Sequence, residues 1–133
     1  MNTLMFIAVI VVPFISLRVN AFGRLRELIP NGFSVKNPCS MVGNIWAGVG
    51  HRSVNGGGEL NSFGQAFDRA GGEWTVELCK EDSDDDGLTN GEELGDPYCD
   101  WSKGEPVYSE AQGHPGICQP VGSPNCQHQR LRC

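Results

Sequence analysis

The sequence has no surplus of basic residues: 10 Lys and Arg stand against 16 Asp and Glu, and the formal net charge is −6. Nucleic acids and anionic membranes are bound through a basic face, so we expect neither as a partner. The chain also has no recognisable Ser-His-Asp set, no His-x-x-x-His spacing and no paired carboxylates outside one acidic stretch. We therefore predict no enzymatic activity and no small-molecule substrate.

Long hydrophobic runs are also scarce. The one such run covers residues 4–17, which is shorter than the roughly 20 residues that a membrane-spanning helix needs. Val19 and Ala21 follow it at the −3 and −1 positions of a signal-peptidase site. We predict a signal peptide over residues 1–21 and a secreted, extracellular mature chain over 22–133. A membrane anchor or a buried N-terminal helix is the alternative. The leader holds one Arg and no acid, so the predicted mature chain has a net charge of −7.

Cysteine is absent from the predicted leader, and no two cysteines have the close CxxC spacing that favours a zinc site. An even number of cysteines in a small secreted chain predicts three disulfides instead. Such cross-links are expected because the chain is rich in Gly and Pro and poor in bulky apolar residues for a thick core. The predicted disulfide cysteines are Cys39, Cys79, Cys99, Cys118, Cys126 and Cys133.

Turn-forming residues divide the chain into short pieces. Apolar stretches at 33–35 and 45–49 favour short strands. Phe63, Ala66, Phe67 and Ala70 have the i, i+3, i+4, i+7 spacing of a short helix that Asn61 or Ser62 can cap. A second short helix is predicted from Glu73 to about Lys80. The sequence thus predicts a small, loop-rich α+β fold with short antiparallel strands and two or three short helices, held by disulfides and one EF-hand-like calcium loop.

The acidic stretch at residues 82–93 is Asp-Ser-Asp-Asp-Asp-Gly-Leu-Thr-Asn-Gly-Glu-Glu. It matches the calcium loop D-x-D-x-D-G-x5-E at every specified position. Calcium takes about seven oxygens, and alternate residues of a tight loop point inward, so this spacing directs the ligands to one point. We predict Ca²⁺ as the cofactor rather than Mg²⁺, which rarely uses such a cage. The predicted metal ligands are Asp82, Asp84, Asp86, the backbone carbonyl of Leu88, Asn90 and Glu93.

The flanks of this loop are too short for a complete EF-hand, because Gly95-Asp96-Pro97 ends the exit helix almost at once. With no second loop, we predict a single structural site rather than a calcium sensor. Cys79 and Cys99 lie on either side of the loop and form the preferred disulfide pair. Six cysteines permit fifteen pairings, and the remaining two bridges, Cys39–Cys126 and Cys118–Cys133, are guesses.

Several short segments, taken together, are similar to the temptin family of gastropod water-borne pheromone proteins. They are Asn-Pro-Cys at 37–39, Gly-Val-Gly-His at 48–51, the triple Gly at 56–58, Leu-Cys at 78–79 and Gly-Glu-Glu-Leu-Gly-Asp-Pro at 91–97. The resemblance covers about Phe22 to Trp101. It implies a single temptin-like domain over 22–133, with a core at about 22–101 and a cysteine- and proline-rich tail at 102–133 that departs from the family pattern.

The resemblance further implies a secreted protein that binds a co-secreted attractin-type polypeptide in a pheromone complex promoting attraction and mating. An extracellular-matrix or shell-associated calcium-binding module is the alternative. The partner-binding residues are unknown, although residues 45–51 and the tail are preferred over the calcium ligands. His51, His114 and His128 have no metal-site spacing, and Trp46 and the other two tryptophans are most simply core residues.

Overall fold

The structure, a computed structural model, describes residues 21–41, 43–131 and 133. Most of the predicted signal peptide therefore lies outside the described residues. Short helices separated by long loops make up the described chain. They are α1 (Ala21–Arg26), α2 (Ser62–Arg69), α3 (Val76–Lys80), α4 (Asn90–Leu94) and a 3₁₀ helix at Pro124–Gln129. No described helix is both long enough and apolar enough to cross a membrane.

Side-chain caps set where the central helices begin. The Asn61 side chain accepts a hydrogen bond from the Gly64 amide and starts α2, which confirms the predicted helix. Thr75 accepts from the Leu78 amide in the same way. The second predicted helix therefore begins at Val76 rather than Glu73, because Thr75 occupies the capping position with an extended backbone.

The predicted strands are reduced to two isolated antiparallel bridges, Lys36 with Ile45 and His51 with Leu60, and the described residues contain no sheet. The reason is local: left-handed glycines, among them Gly43 and the triple Gly at 56–58, turn the chain before a ladder can extend. The fold is therefore small, loop-rich and helical in its regular parts, and the expected strand component of an α+β fold is absent from the described chain.

A small apolar core lies between these loops and helices. Its buried members are Ile29, Val35, Val49, Phe63, Ala66, Leu78 and Leu94. Trp46 is also buried, with its indole N–H donating to the Gly48 carbonyl at 3.1 Å. The His114 ring packs edge-on against Trp46 with 5.0 Å between ring centroids. This contact places part of the C-terminal tail inside the molecule.

All six cysteines are paired, which confirms three disulfides, and Cys79–Cys99 is the bridge that the sequence predicted. The two guessed bridges are wrong: the structure joins Cys39 to Cys133 and Cys118 to Cys126. The physical reason is the 3₁₀ helix at Pro124–Gln129, which folds the chain back so that the Cα of Cys126 lies 5.4 Å from that of Cys118. Cys133 is then left to reach Cys39.

The candidate metal site and its surroundings

The acidic loop connects α3 to α4, two short helices that pack against each other. The backbone amide of Asn90 donates to the Glu81 carbonyl at 2.8 Å and closes the base of the loop. Thr89 and Glu92 form a reciprocal capping box at the start of α4. Gly91 allows the helices to meet, because a Cβ there would lie only 2.3 Å from the Cys79 sulfur. The disulfide and the helix contact together hold the two ends of the loop.

Three carboxylates converge inside this loop. Asp82, Asp84 and Asp86 each offer a carboxylate oxygen, and these oxygens lie within 4.8 Å of one another. Among the described residues, these three side chains form the cluster of potential metal-binding groups. Asp85 and Gly87 have positive φ angles of 60° and 98° and make the turn that brings these alternate residues together. The structure therefore gathers the first three predicted ligands at one point.

Backbone amides hold two of these carboxylates in place. Asp82 accepts from the amides of Asp86 at 3.2 Å and Gly87 at 2.9 Å. Asp86 accepts from the Leu88 amide at 3.0 Å. Each carboxylate oxygen can still accept further contacts, because it has two lone pairs. The side chain of Leu88 is exposed, and its predicted role uses only its backbone carbonyl.

The other predicted ligands present buried oxygens that have no partner. Both carboxylate oxygens of Asp84 and of Glu93, and the amide oxygen of Asn90, are buried without a hydrogen bond. Asn90 is oriented by its own amide group, which donates to the Leu78 carbonyl at 2.7 Å and to the Ser83 hydroxyl at 2.8 Å. Buried oxygens of this kind cost free energy unless a donor or a cation meets them. This donor set fits a hard cation such as Ca²⁺.

Burial and mutual repulsion raise the pKa values of two of these acids. The pKa of Glu93 rises to about 10, first through desolvation and then through the charges of the three aspartates. The pKa of Asp84 rises to about 8, again through desolvation first and then through Asp86 and Asp82. Glu93 is thus close enough to interact with the three-carboxylate group although it is not one of its members. A bound cation would favour the ionised forms of both residues.

The tail covers one side of the site, which the sequence did not predict. The amides of Gln112 and Gly113 both point to the Glu93 carbonyl, at 2.7 and 3.3 Å. The backbone amide of Gln119 donates to the Asp86 carboxylate at 3.3 Å, and Nε2 of the His128 ring lies 2.8 Å from the Asp84 carbonyl. The sequence feature related to these contacts is Gly113, but glycine is too common in this chain to predict that the tail packs against the acidic loop.

The histidines do not form a common site. His114 is fully buried beside Trp46, and burial lowers its pKa to about 3. His128 contacts the acidic loop through Asp84, while His51 lies in an antiparallel bridge with Leu60. Each histidine therefore has a different environment.

An apolar groove of about 180 Å³ lies apart from the acidic loop, between α1, α2 and the segment at residues 47–51. Its walls include Leu25, Ile29, Val49, Leu60, Phe63 and Phe67. Arg26, His51 and Asp68 also line it. Part of the groove therefore falls within residues 45–51, the segment that the sequence marked for partner contact.

These features define a class: small, loop-rich, disulfide-linked proteins built around an acidic twelve-residue loop. Comparison with known proteins then gives the family. Residues 19–117 match the Temptin C-terminal family. The chain is also 50% identical over 99 residues to Temptin of Aplysia californica, covering 74% of this chain and 78% of that protein. The chain belongs to the temptin family.

The family match extends beyond the predicted limit of the resemblance at Trp101 and reaches residue 117. It therefore includes the first part of the tail, whose residues 112–113 contact Glu93. Residues 118–133 lie outside the match. No solved structure matches the chain.

Proposed function

We propose that this protein is a secreted calcium-binding signalling protein that binds a co-secreted attractin-type polypeptide in a water-borne pheromone complex promoting attraction and mating. Membership of the temptin family supports the pheromone role. The observation that carries the calcium proposal is the set of buried, unpartnered oxygens on Asp84, Asn90 and Glu93 beside the converging aspartates.

The residues present fit calcium. Asp82, Asp84 and Asp86 would supply carboxylate oxygens, Asn90 its amide oxygen and Glu93 its carboxylate. By its place in the loop pattern, Leu88 would add its backbone carbonyl. Calcium would partly neutralise this acidic cluster and cross-link the loop to α4. Extracellular modules bind the ion with dissociation constants of about 10⁻⁴ to 10⁻³ M. Such a site is occupied where extracellular calcium is abundant, so its role is to stiffen the frame.

The groove between α1 and α2 is the surface that we assign to the partner. Its apolar walls suit an aliphatic or aromatic side chain. The groove wall has one acidic residue, Asp68, and one basic residue, Arg26, but the predicted mature chain as a whole has a net charge of −7. The overall charge therefore favours a basic polypeptide that inserts one apolar side chain. A frame held by disulfides and an ion loses little entropy on docking.

Two exposed apolar residues provide a matched test. Leu25 lines the groove and Val76 lies on α3 outside it, yet both are 48% exposed. We expect Leu25→Ser to weaken binding of the basic co-secreted polypeptide about tenfold, because one apolar contact contributes on the order of 1–2 kcal/mol. Val76→Ser serves as the control and should bind like the wild type. Titration calorimetry with the purified polypeptide measures both.

A depletion assay addresses the biological role. Removing this protein from the natural secretion should reduce attraction, and adding it back should restore attraction. Unchanged attraction after depletion, together with no binding to any co-secreted polypeptide, would contradict the signalling role and support a matrix- or shell-associated calcium-binding module instead.

A further inference from the structure

The C-terminal segment, residues 118–133, lies outside the matched family region. Two disulfides hold it: Cys118–Cys126 closes a short loop within it, and Cys39–Cys133 ties its end to the N-terminal half. The side chain of Gln129 donates to the Cys118 carbonyl at 2.8 Å and fixes the 3₁₀ helix against the start of the segment. Its described residues, 118–131 and 133, are thus a cross-linked unit rather than a loose tail.

This unit contacts the acidic loop at two of its alternate positions. The Gln119 amide donates to the Asp86 carboxylate at 3.3 Å, near the start of the segment. From the 3₁₀ helix, Nε2 of the His128 ring lies 2.8 Å from the backbone carbonyl of Asp84, and Nδ1 lies 3.1 Å from the carbonyl of Asn125. The Nε2–H tautomer bonds to the loop. The Gln119 contact therefore orients the Asp86 carboxylate, and the His128 contact fixes the backbone that carries the Asp84 carboxylate.

Neither contact occupies the oxygens that the loop leaves unpartnered. The Asp84 carboxylate remains without a hydrogen bond, although the carbonyl of the same residue is held. Groups that hold metal ligands from behind, without binding the metal, typically change metal affinity by about 10- to 100-fold when they are removed. The position of the C-terminal segment corresponds to that role.

We propose that the C-terminal segment is a clamp that preorganises the acidic loop and slows calcium release, with His128 as its principal positioning residue and Cys39–Cys133 as the bond that keeps it closed. This inference rests on the proposed calcium site. The clamp restricts the backbone around Asp84 before the ion arrives, so less conformational entropy is lost when calcium binds. Opening the clamp leaves the ligands in place but makes the loop more mobile.

Neighbouring residues on the 3₁₀ helix provide a matched pair. His128 and Gln127 are both exposed, and only His128 has a side chain that contacts the loop. In the full-length mature protein, we expect His128→Ala to weaken calcium binding about tenfold, chiefly through faster dissociation. Gln127→Ala should leave it unchanged. Calorimetry gives the affinity, and stopped-flow release into a chelating dye gives the dissociation rate.

A second measurement does not depend on calcium. Hydrogen exchange in chelator measures how often the loop opens at the backbone amides of Asp86, Gly87 and Leu88. These amides are hydrogen-bonded to side chains within the loop. The clamp predicts several-fold faster exchange at these amides in His128→Ala and in the double variant Cys39→Ser/Cys133→Ser, with Gln127→Ala matching the wild type.

The outcomes separate the clamp from the calcium site. If the wild type binds no calcium, the proposed metal site is wrong. The exchange rates in chelator then decide by themselves whether the C-terminal segment restrains the loop. If calcium binds but His128→Ala and Gln127→Ala agree in affinity, release rate and loop exchange, the clamp is overturned while the calcium site stands.

Discussion

The backbone of Gly113 lies directly against the carboxylate of Glu93: a Cβ at residue 113 would be 2.6 Å from Oε1 of Glu93. Glu93 occupies position twelve of the acidic loop, and Gly113 belongs to a tail with no regular structure around it. The amide of Gly113 also points back to the Glu93 carbonyl. The tail and the candidate metal site therefore form one structural unit.

Replacing Glu93 with Gln should weaken calcium binding at least tenfold, because one of the two oxygens of the bidentate ligand becomes an uncharged amide group. The melting temperature should also lose its dependence on calcium, since a ligand stabilises only the state that it binds. Differential scanning calorimetry in calcium and in chelator measures this effect. Glu110→Gln, an exposed acid in the tail, is the control. A wild type that melts identically in both buffers would contradict a structural calcium site.

The pH dependence of stability should differ between chelator and calcium. Burial raises the pKa of Glu93 to about 10 and that of Asp84 to about 8 in the folded chain without metal. The folded state then binds more protons than the unfolded state between about pH 5 and 8, so the free energy of unfolding falls as pH rises through this range. With saturating calcium the two acids are ionised when folded, and this fall should disappear. Urea titrations at several pH values test it. A flat profile in chelator would contradict the prediction.

Replacing Gly113 with Ala should both lower stability and weaken calcium binding. The added methyl group meets the Oε1 and Cγ atoms of Glu93, at 2.6 and 3.2 Å, so either the carboxylate or the tail must move. Overpacking of this kind costs about 1–3 kcal/mol. Urea unfolding measures the stability, and calorimetry the calcium affinity. Gln112→Ala changes an exposed neighbour and serves as the control. Equal affinity in both variants would show that the tail does not constrain Glu93.

The natural secreted protein should begin at Phe22 and contain no free thiol. The first expectation comes from the apolar run and the Val19/Ala21 spacing, and the second from the three disulfides of the structure. Intact-mass spectrometry should give the mass of residues 22–133 less six hydrogens. A protein that retains residues 1–21, or that reacts with an alkylating agent before reduction, would contradict the respective part of the prediction.

The sequence by itself determined the features that depend on neighbouring residues. Asn61 caps α2, and Gly87 adopts the left-handed turn inside the acidic loop, because both are consequences of local backbone chemistry. The convergence of Asp82, Asp84 and Asp86 follows from their alternate spacing around that turn. The Cys79–Cys99 bridge was predictable for a related reason, since the two cysteines lie on either side of the acidic loop, whose turn brings its ends together.

Only the tertiary structure decided how distant segments meet. The Cys39–Cys133 bridge spans 94 residues, and the His128 contact with Asp84 spans 44. Neither has a sequence signature, because contacts at this separation depend on the sum of all the intervening turns. The predicted strands failed for a different, local reason: Lys36 and Ile45 do pair, but the left-handed Gly43 between them turns the chain and limits the pairing to a single bridge. Local chemistry therefore brought together the predicted ligands of the candidate site, whereas the path of the whole chain decided which residues cover them.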